Sequence, residues 1–516
     1  EPESNRIWIE VANENGGRAI LPFQGMLPSD AYIWSRQRED TELMKGFLDL
    51  TEALYDPAEK THGYVGNDVV IKNTSLIKDA RIEDCAYIKG AFKLKNITVC
   101  STEDEPSQIG EGVEMVNGIM GAGCKVFYQA VAVRFLLGRN CQLKYGARLL
   151  NSVLGDNSTV SCCELLNNLI FPFHEQHHNT SFLIATTIQG QSNIAAGSTI
   201  GSNHNSRSPD GEIFAGRGFW PGLCSDFKHN SKFASFSLIL KSSYPYELNI
   251  TYPFCLVATE GAEQPINIMP AYWFMYNMFA VARNNSKFKK RDKRVIKEQH
   301  IETDPLAPDT MQEILLSLDR IITLTARWLK TNDPWFANKS DNLYQMAKDY
   351  LHQNPDTDIV LKDDQCMKKY GALIIKPAKG YKEYRKMVKY FAVRTLFDYA
   401  KEQGIESLTK EHLNKIEEFP LYTMWQNVGG QIIPDEKLNE LYHGIKTKKI
   451  TSWNEVHQFY DQCQEQYLQF KTRYALYLLE QLYSAPISTF TSVIYSDILS
   501  DVLIVSNYMY ETSISS

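Results

Sequence analysis

The chain is 516 residues long, 43% hydrophobic and 22% charged, with a formal net charge of −7 and a pI near 6.0. That length exceeds one ordinary core and predicts two or three domains, while the composition excludes disorder and argues against a dedicated nucleic-acid binder. The ten cysteines show no C-x-x-C spacing, which excludes a disulfide framework and a zinc ribbon and fits a reduced, cytoplasmic setting.

The first element is a mixed cap over residues 1–65. Pro28-Ser29-Asp30 is a helix start, and Ala31–Thr51 reads as one or two helices. The polar N-terminus Glu1-Pro2-Glu3-Ser4 does not read as a signal peptide, and Gly16-Gly17-Arg18 is not a dinucleotide fingerprint. No stretch is apolar enough to predict a membrane span.

From Val70 a large aliphatic residue recurs every six positions, at Leu76, Ile82, Ile88, Leu94 and Cys100. Four residues after each lies a mostly small one: Thr74, Ala80, Ala86, Phe92 and Thr98. The pattern returns at Leu137, Leu143 and Leu149, then at Leu154, Val160 and Leu166, and again at Ile188, Ile194 and Ile200. The phase slips near Ala132 and near Leu149, and Ser101–Ile119 reads as an insertion. A period of six fits neither an α-helix nor a hairpin strand. It fits a triangular coil with one inward aliphatic residue per face, stacked so that like residues form ladders, about eighteen positions to the turn. The repeat predicts a parallel β-helix over 66–205, a β-rich extension over 206–265 and an α-helical domain over 266–516. Met311, Leu315, Leu318, Ile322 and Leu329 mark one apolar helix face in the last part.

Three segments invite chemistry. His174-Glu175-Gln176-His177-His178 has the letters of the H-E-x-x-H zinc signature, but Pro172 and the flanking coils predict a strand or loop, where those letters cannot grip one metal. No metal site is expected. Ile200-Gly201-Ser202-Asn203-His204-Asn205-Ser206-Arg207 puts a histidine where the repeat wants a small residue, among side chains that hold hydroxyl or phosphate groups. Arg217-Gly218-Phe219-Trp220 and Lys228-His229-Asn230 are basic groups near glycines, suited to a phosphate and equally to a solvated loop. The basic run Lys287–Lys297 reads first as an exposed helix face or linker. Cys124 and Cys141 read as core filler.

The hexads around Ile194-Ala195-Ala196-Gly197-Ser198-Thr199-Ile200-Gly201 resemble the left-handed β-helix superfamily of hexapeptide-repeat transferases. The longer stretch from Gln176-His177-His178-Asn179 through Gly190-Gln191-Ser192-Asn193 to Arg217-Gly218-Phe219-Trp220-Pro221-Gly222-Leu223 is similar to a bacterial family carrying a domain of unknown function and a helical tail. The superfamily resemblance implies a left-handed coil, a homotrimer, and acyl transfer from acyl-CoA to a sugar or sugar-nucleotide with a histidine as general base. On that reading the catalytic candidates are His204, His177 and His178. The substrate-binding candidates are Asn179, Gln191, Asn193, Asn203, Asn205, Arg207, Arg217, Lys228 and His229. The expected architecture is a β-solenoid with a mostly α-helical C-terminal domain, α+β overall. The expected partners are a small-molecule sugar or sugar phosphate and copies of the chain, with no nucleic acid and no membrane. Two alternatives stand beside it: a sugar-nucleotide pyrophosphorylase-like protein lacking its catalytic half, since no Gly-rich nucleotide loop occurs near the N-terminus, and a non-catalytic sugar-phosphate-binding or scaffold protein. The transferase reading predicts one shared cleft for these residues; a scaffold would scatter them.

Overall fold

The structure, a computed structural model, describes residues 6–55, 62–201, 211–261, 263–337 and 342–515. Its frame is a parallel β-solenoid of about 11 turns, followed by a helical C-terminal region. Short strands such as Val70–Lys72, Lys125–Val126 and Asn193–Ile194 stack into an 8-stranded sheet. Seven-residue strands such as Lys93–Val99, Val131–Leu137 and Arg148–Leu154 stack into a larger one. Each long strand bends at its middle residue, where Asn96, Asn117, Arg134, Asn151, Asn167 and Ala185 take positive φ. The ladder pairing skips the bend, as between Val133↔Leu150 and Phe135↔Ser152. One bent strand therefore supplies two faces of the triangle and the short strand the third.

This geometry corrects the strict period of six. Val70 pairs with Tyr87, Lys125 with Gln142 and Gln142 with Thr159, so a turn takes seventeen residues in most of the coil, one fewer than eighteen. The lost residue falls at the bend, where the inward positions lie five apart. Leu94 is followed inward by Val99 and not by Cys100, and Leu165 is inward in place of Leu166. Leu76 is exposed for the same reason, and Phe92 is exposed because Ala91 takes the inward place at the corner between Tyr87–Lys89 and Lys93–Val99. The other core assignments hold: Ile82, Ile88, Leu94, Ile194 and Ile200 all lie in one continuous core. Lys93 pairs with Glu114, four residues beyond the usual step, so the insertion is confined to the loop before the strand Gln108–Ile109. Parallel pairing continues past residue 205, as far as Leu238–Ile239 on Leu256–Val257.

Three corners result. The first joins a long strand to the next short strand, at Gly138–Asn140, Gly155–Asn157, Pro172–His174 and Gly216–Gly218. The second follows the short strand, at Tyr128, Tyr145, Cys162 and His178. The third is the bend itself.

The N-terminal residues lie along the flank of the coil. A hairpin, Ile9–Glu10 with Ala19–Ile20, leads into helices Pro28–Arg36 and Thr41–Glu52. The rings of Trp34, Phe47 and Trp453 stack at 5.5–5.9 Å and share a core with Leu136, Val153 and Leu169 of the coil. From Tyr272 the chain is mainly helical, including Pro308–Asn332, Pro377–Glu402 and Tyr467–Tyr483. Met311, Leu318, Ile322 and Leu329 are buried as the apolar face predicts. Strands also occur here: Ala372–Ile374 pairs in parallel with Ile266–Met269 and extends the sheet. Among the described residues no helix is long and apolar enough to cross a membrane.

Candidate functional site

The singled-out residues lie on different corners. His177, His178 and Asn179 are at the second corner, His178 and Asn179 exposed, with the two imidazoles 4.5 Å apart and His177 Nδ1 3.7 Å from Glu175. The strand context of the H-E-x-x-H letters is as expected: Glu175–Gln176 is a strand, with His174 inside and His178 outside. Interior His174 bonds Ser192 Oγ at 2.8 Å and Gln176 Oε1 at 3.1 Å, and burial pushes its pKa down to about 4. Asn193 lies half-buried on the short strand one turn above Glu175.

Gln191 and Arg217 sit at the first corner and serve structure. Gln191 donates to the carbonyl of Glu302 at 2.5 Å. Arg217 is fully buried, with two parallel bonds to Asp309 at 2.8 and 2.9 Å and a third to the carbonyl of Asp304 at 3.0 Å. It joins the coil to the start of the helix Pro308–Asn332, so the phosphate role expected of it is corrected: no face of its guanidinium is left for a ligand. Lys228 and His229 belong to the third corner. Lys228 is ion-paired with Glu247, and His229 is buried with its ring against Gly201, where a Cβ would stand 2.8 Å from Nε2. Neither offers the exposed basic group that phosphate binding requires. Asn203, His204, Asn205 and Arg207 lie outside the described residues. The described candidates therefore do not share one cleft.

A polar cavity of about 430 Å³ is present elsewhere, where the N-terminal segment crosses the coil. Arg18, Arg36 and Arg38 line it, together with Gly16, Gly17 and the carboxylates of Glu39, Asp40 and Glu212. The hairpin loop holds Gly16 and Gly17 at φ +77° and +88°, a conformation that favours glycine. Arg18 follows them directly, while Arg36 and Arg38 come from the end of the first helix and the turn after it. Arg18 and Arg36 share the carboxylate of Glu212, Arg36 at 3.0 Å. Arg36 also donates to Thr187 of the coil, and its buried Nε has no hydrogen-bond partner among the described residues. Arg38 donates to the carbonyl of Ala19 at 3.0 Å and meets no carboxylate within ion-pair distance among those residues. Asp40, on the rim, is paired with Lys446 and caps the second helix through the Leu43 amide. Burial lowers the pKa of Arg36, against the raising effect of Tyr32 and Glu212; burial and then the neighbouring Arg18 lower that of Arg38. Three guanidiniums line the cavity beside three carboxylates, Glu39, Asp40 and Glu212, and a guanidinium without a carboxylate partner, as at Arg38, can hold an anion with bidentate geometry.

Sequence reasoning missed this cavity because its parts lie far apart: Arg18 and Glu212 are 194 positions from each other. The one local signal was Gly16-Gly17-Arg18 followed by the Arg36-Gln37-Arg38 triplet. Next to Glu212 the coil carries its largest step. Phe182 to Thr199 takes seventeen residues, whereas Thr199 pairs with Asp226, twenty-seven positions on.

Residues 3–325 match the family model described as Domain of unknown function (DUF4954), and residues 405–502 match that described as Domain of unknown function (DUF6819). An uncharacterized protein of Treponema pallidum (strain Nichols) is 46% identical over 465 residues, 89% of this chain and 63% of that protein. The chain thus spans less than two thirds of the length of this relative. Among solved structures, UDP-N-acetylglucosamine acyltransferase from Campylobacter jejuni is similar at 14% identity, covering 57% of this chain and 93% of that one, with a TM-score of 0.18. A score that low carries no argument.

Proposed function

We propose a function from the site itself, on the premise that this chain belongs to the DUF4954 family: it binds a phosphorylated small molecule, a sugar phosphate or sugar-nucleotide, in the cavity of Arg18, Arg36 and Arg38. The observation that carries this reading is Arg38, which lines the cavity and meets no carboxylate within ion-pair distance among the described residues: of the three carboxylates that line the cavity with it, Glu212 is held by Arg18 and Arg36, Asp40 is held by Lys446, and Glu39 forms no ion pair with it. A phosphate that approaches Arg38 and Arg36 gains charge-assisted hydrogen bonds in a partly desolvated place, where they are strongest. Isothermal titration calorimetry with glucose 1-phosphate, UDP-glucose and inorganic phosphate tests it. Phosphate-dependent binding that weakens about tenfold or more in Arg38→Ala is expected, a charge-assisted bond contributing roughly 1.5–3 kcal/mol. Absence of binding by all three probes, or unchanged affinity in the variant, overturns it.

The second reading is acyl transfer, and the resemblance of the hexads around Ile194–Gly201 to hexapeptide-repeat transferases favours it. In that reading His204 takes the proton from an acceptor hydroxyl or amine, the acceptor attacks the thioester carbonyl of acyl-CoA, and coenzyme A leaves as the thiol. Asn203, Asn205 and Arg207 orient the acceptor. A histidine suits this step because its pKa is near neutral. Thiol release from acetyl-CoA in the presence of the acceptor is the assay, and His204→Ala loses it at unchanged melting temperature. A homotrimer belongs to this reading, and sedimentation equilibrium checks it. Binding of sugar phosphate without thiol release leaves the first reading alone standing.

A further inference from the structure

The helix Met278–Arg291 ends in Lys287, Lys289, Lys290 and Arg291, and the stretch after it adds Lys293 and Lys297. The segment is fastened along the first corner of the coil. Phe288 rests on Phe173 at 5.1 Å, Asn157 donates to Asp292 at 3.0 Å, and Arg294 is buried against Asp156 and Asp292 at 2.9 and 2.8 Å. Several carboxylates on this side are already partnered, Glu175 with Arg291, Asp292 with Arg294 and Lys297, Glu298 with Arg139, and Glu111 with Lys89, while Glu103 and Asp104 stand exposed on the loop of Glu105. No ion pair is recorded among the described residues for Lys289, Lys290 or Lys293, nor for Lys125 and Lys144 on the outer side of the short-strand sheet. Lys293 and Lys125 are close enough to Lys144 to lower its pKa further, after the effect of its partial burial. Five cations without carboxylate partners thus gather on one side of a chain whose net charge is −7.

Charge alone does not choose a partner. The apolar groups do. Between Lys293 and Lys297, Val295 and Ile296 stand 59% and 48% exposed, held out by a bond from the Val295 amide to Glu105 at 3.1 Å. At the second corner Tyr128 and Tyr145 are 50% and 59% exposed, their rings stacked at 5.0 Å. Nucleic acid offers stacking to tyrosine but nothing to an exposed aliphatic pair. A bilayer offers both an anionic surface for lysine and an interfacial layer for aliphatic and tyrosyl side chains.

We propose that this face binds the surface of a bilayer that contains anionic phospholipid, with Lys125, Lys144, Lys289, Lys290 and Lys293 at the headgroups and Val295 and Ile296 entering the interface. The attachment is peripheral.

Co-sedimentation of the full chain with vesicles tests this. Binding to phosphatidylcholine mixed with phosphatidylglycerol is expected, with none to phosphatidylcholine alone and a decline as salt is raised. Lys289→Glu with Lys290→Glu and Lys293→Glu lowers the partition coefficient about tenfold or more. Val295→Ser with Ile296→Ser also lowers it, at unchanged charge, which ionic attraction alone does not predict. All substituted positions are exposed, and melting curves verify that the variants fold. Equal binding to both vesicle types, binding to neither, or wild-type binding by either variant overturns the proposal. So does tighter binding of a single-stranded oligonucleotide that is insensitive to the serine substitutions.

Discussion

Arg217 and Asp309 form an enclosed, two-pronged ion pair between a corner of the β-solenoid and the first turn of the helix Pro308–Asn332. The arginine side chain is fully buried and the carboxylate nearly so. The carboxylate also stands in the helix's first turn, where the backbone dipole favours negative charge.

Breaking one side of this pair leaves a buried charge. Asp309→Ala is therefore expected to cost about 3–5 kcal/mol, measured by chemical denaturation. Replacing both residues together, Arg217→Met with Asp309→Leu, costs less than Asp309→Ala alone. A double variant as unstable as the single one argues against the buried-charge account.

Glu313, one turn further along that helix, accepts the Ser235 amide at 3.0 Å, and burial first, then Asp309, pushes its pKa from 4.5 up to about 8. The folded chain keeps a proton there that the unfolded chain gives up. This contribution is fully present below pH 4.5 and is lost as pH rises through about 8. His457, whose pKa Asp30 raises against burial, has the same sign: its contribution is present below 6.5 and lost above its folded value. Buried His174 has the opposite sign, its contribution fading as pH falls from 6.5 toward about 4. Thermal melts across pH in Glu313→Gln should show the alkaline loss diminished. An unchanged alkaline limb refutes the assignment.

The bend residues test the coil geometry. Asn151 has φ +45°, a left-handed conformation that asparagine tolerates. Asn151→Gly is expected to be mild, while Asn151→Val costs about 1–2 kcal/mol or more in an unfolding titration. Equal effects would mean that the bend does not hold the left-handed angle.

Inside the coil, Ile194 is in the continuous core. Ile194→Asp buries an unpaired carboxylate and is expected to cost several kcal/mol. Loss of the cooperative melt, or a melting temperature lowered far beyond that of Ile194→Val, checks it; a near-native melt contradicts it.

How much of this was legible in the sequence depended on distance along the chain. The burial of Ile82, Ile88 and Leu94 follows from neighbours six apart, a pattern that lies within one turn. The slip at each bend was hidden, because Asn96, Arg134 and Ala185 adopt the same angle with unrelated side chains. Arg217 looked like a phosphate ligand because its true partner is 92 positions away. The arginine cavity was hidden in the same way: Arg36 meets Glu212 only because the N-terminal segment folds back over the coil.

Coils that touch only their neighbours tend to fray from an open end, each turn leaving almost independently. Here the stretch from Asp292 to Asp309 runs across them like a batten over planks. It is pinned to Arg139, to Asp156 and Asn157 together, to Gln191 and to Arg217, which belong to four of five consecutive rungs, the rung of Pro172–His174 being skipped. A rung in the middle of the stack cannot peel away without releasing that batten, and with it the helices beyond. The array is thereby turned from a zipper into a single mechanical unit.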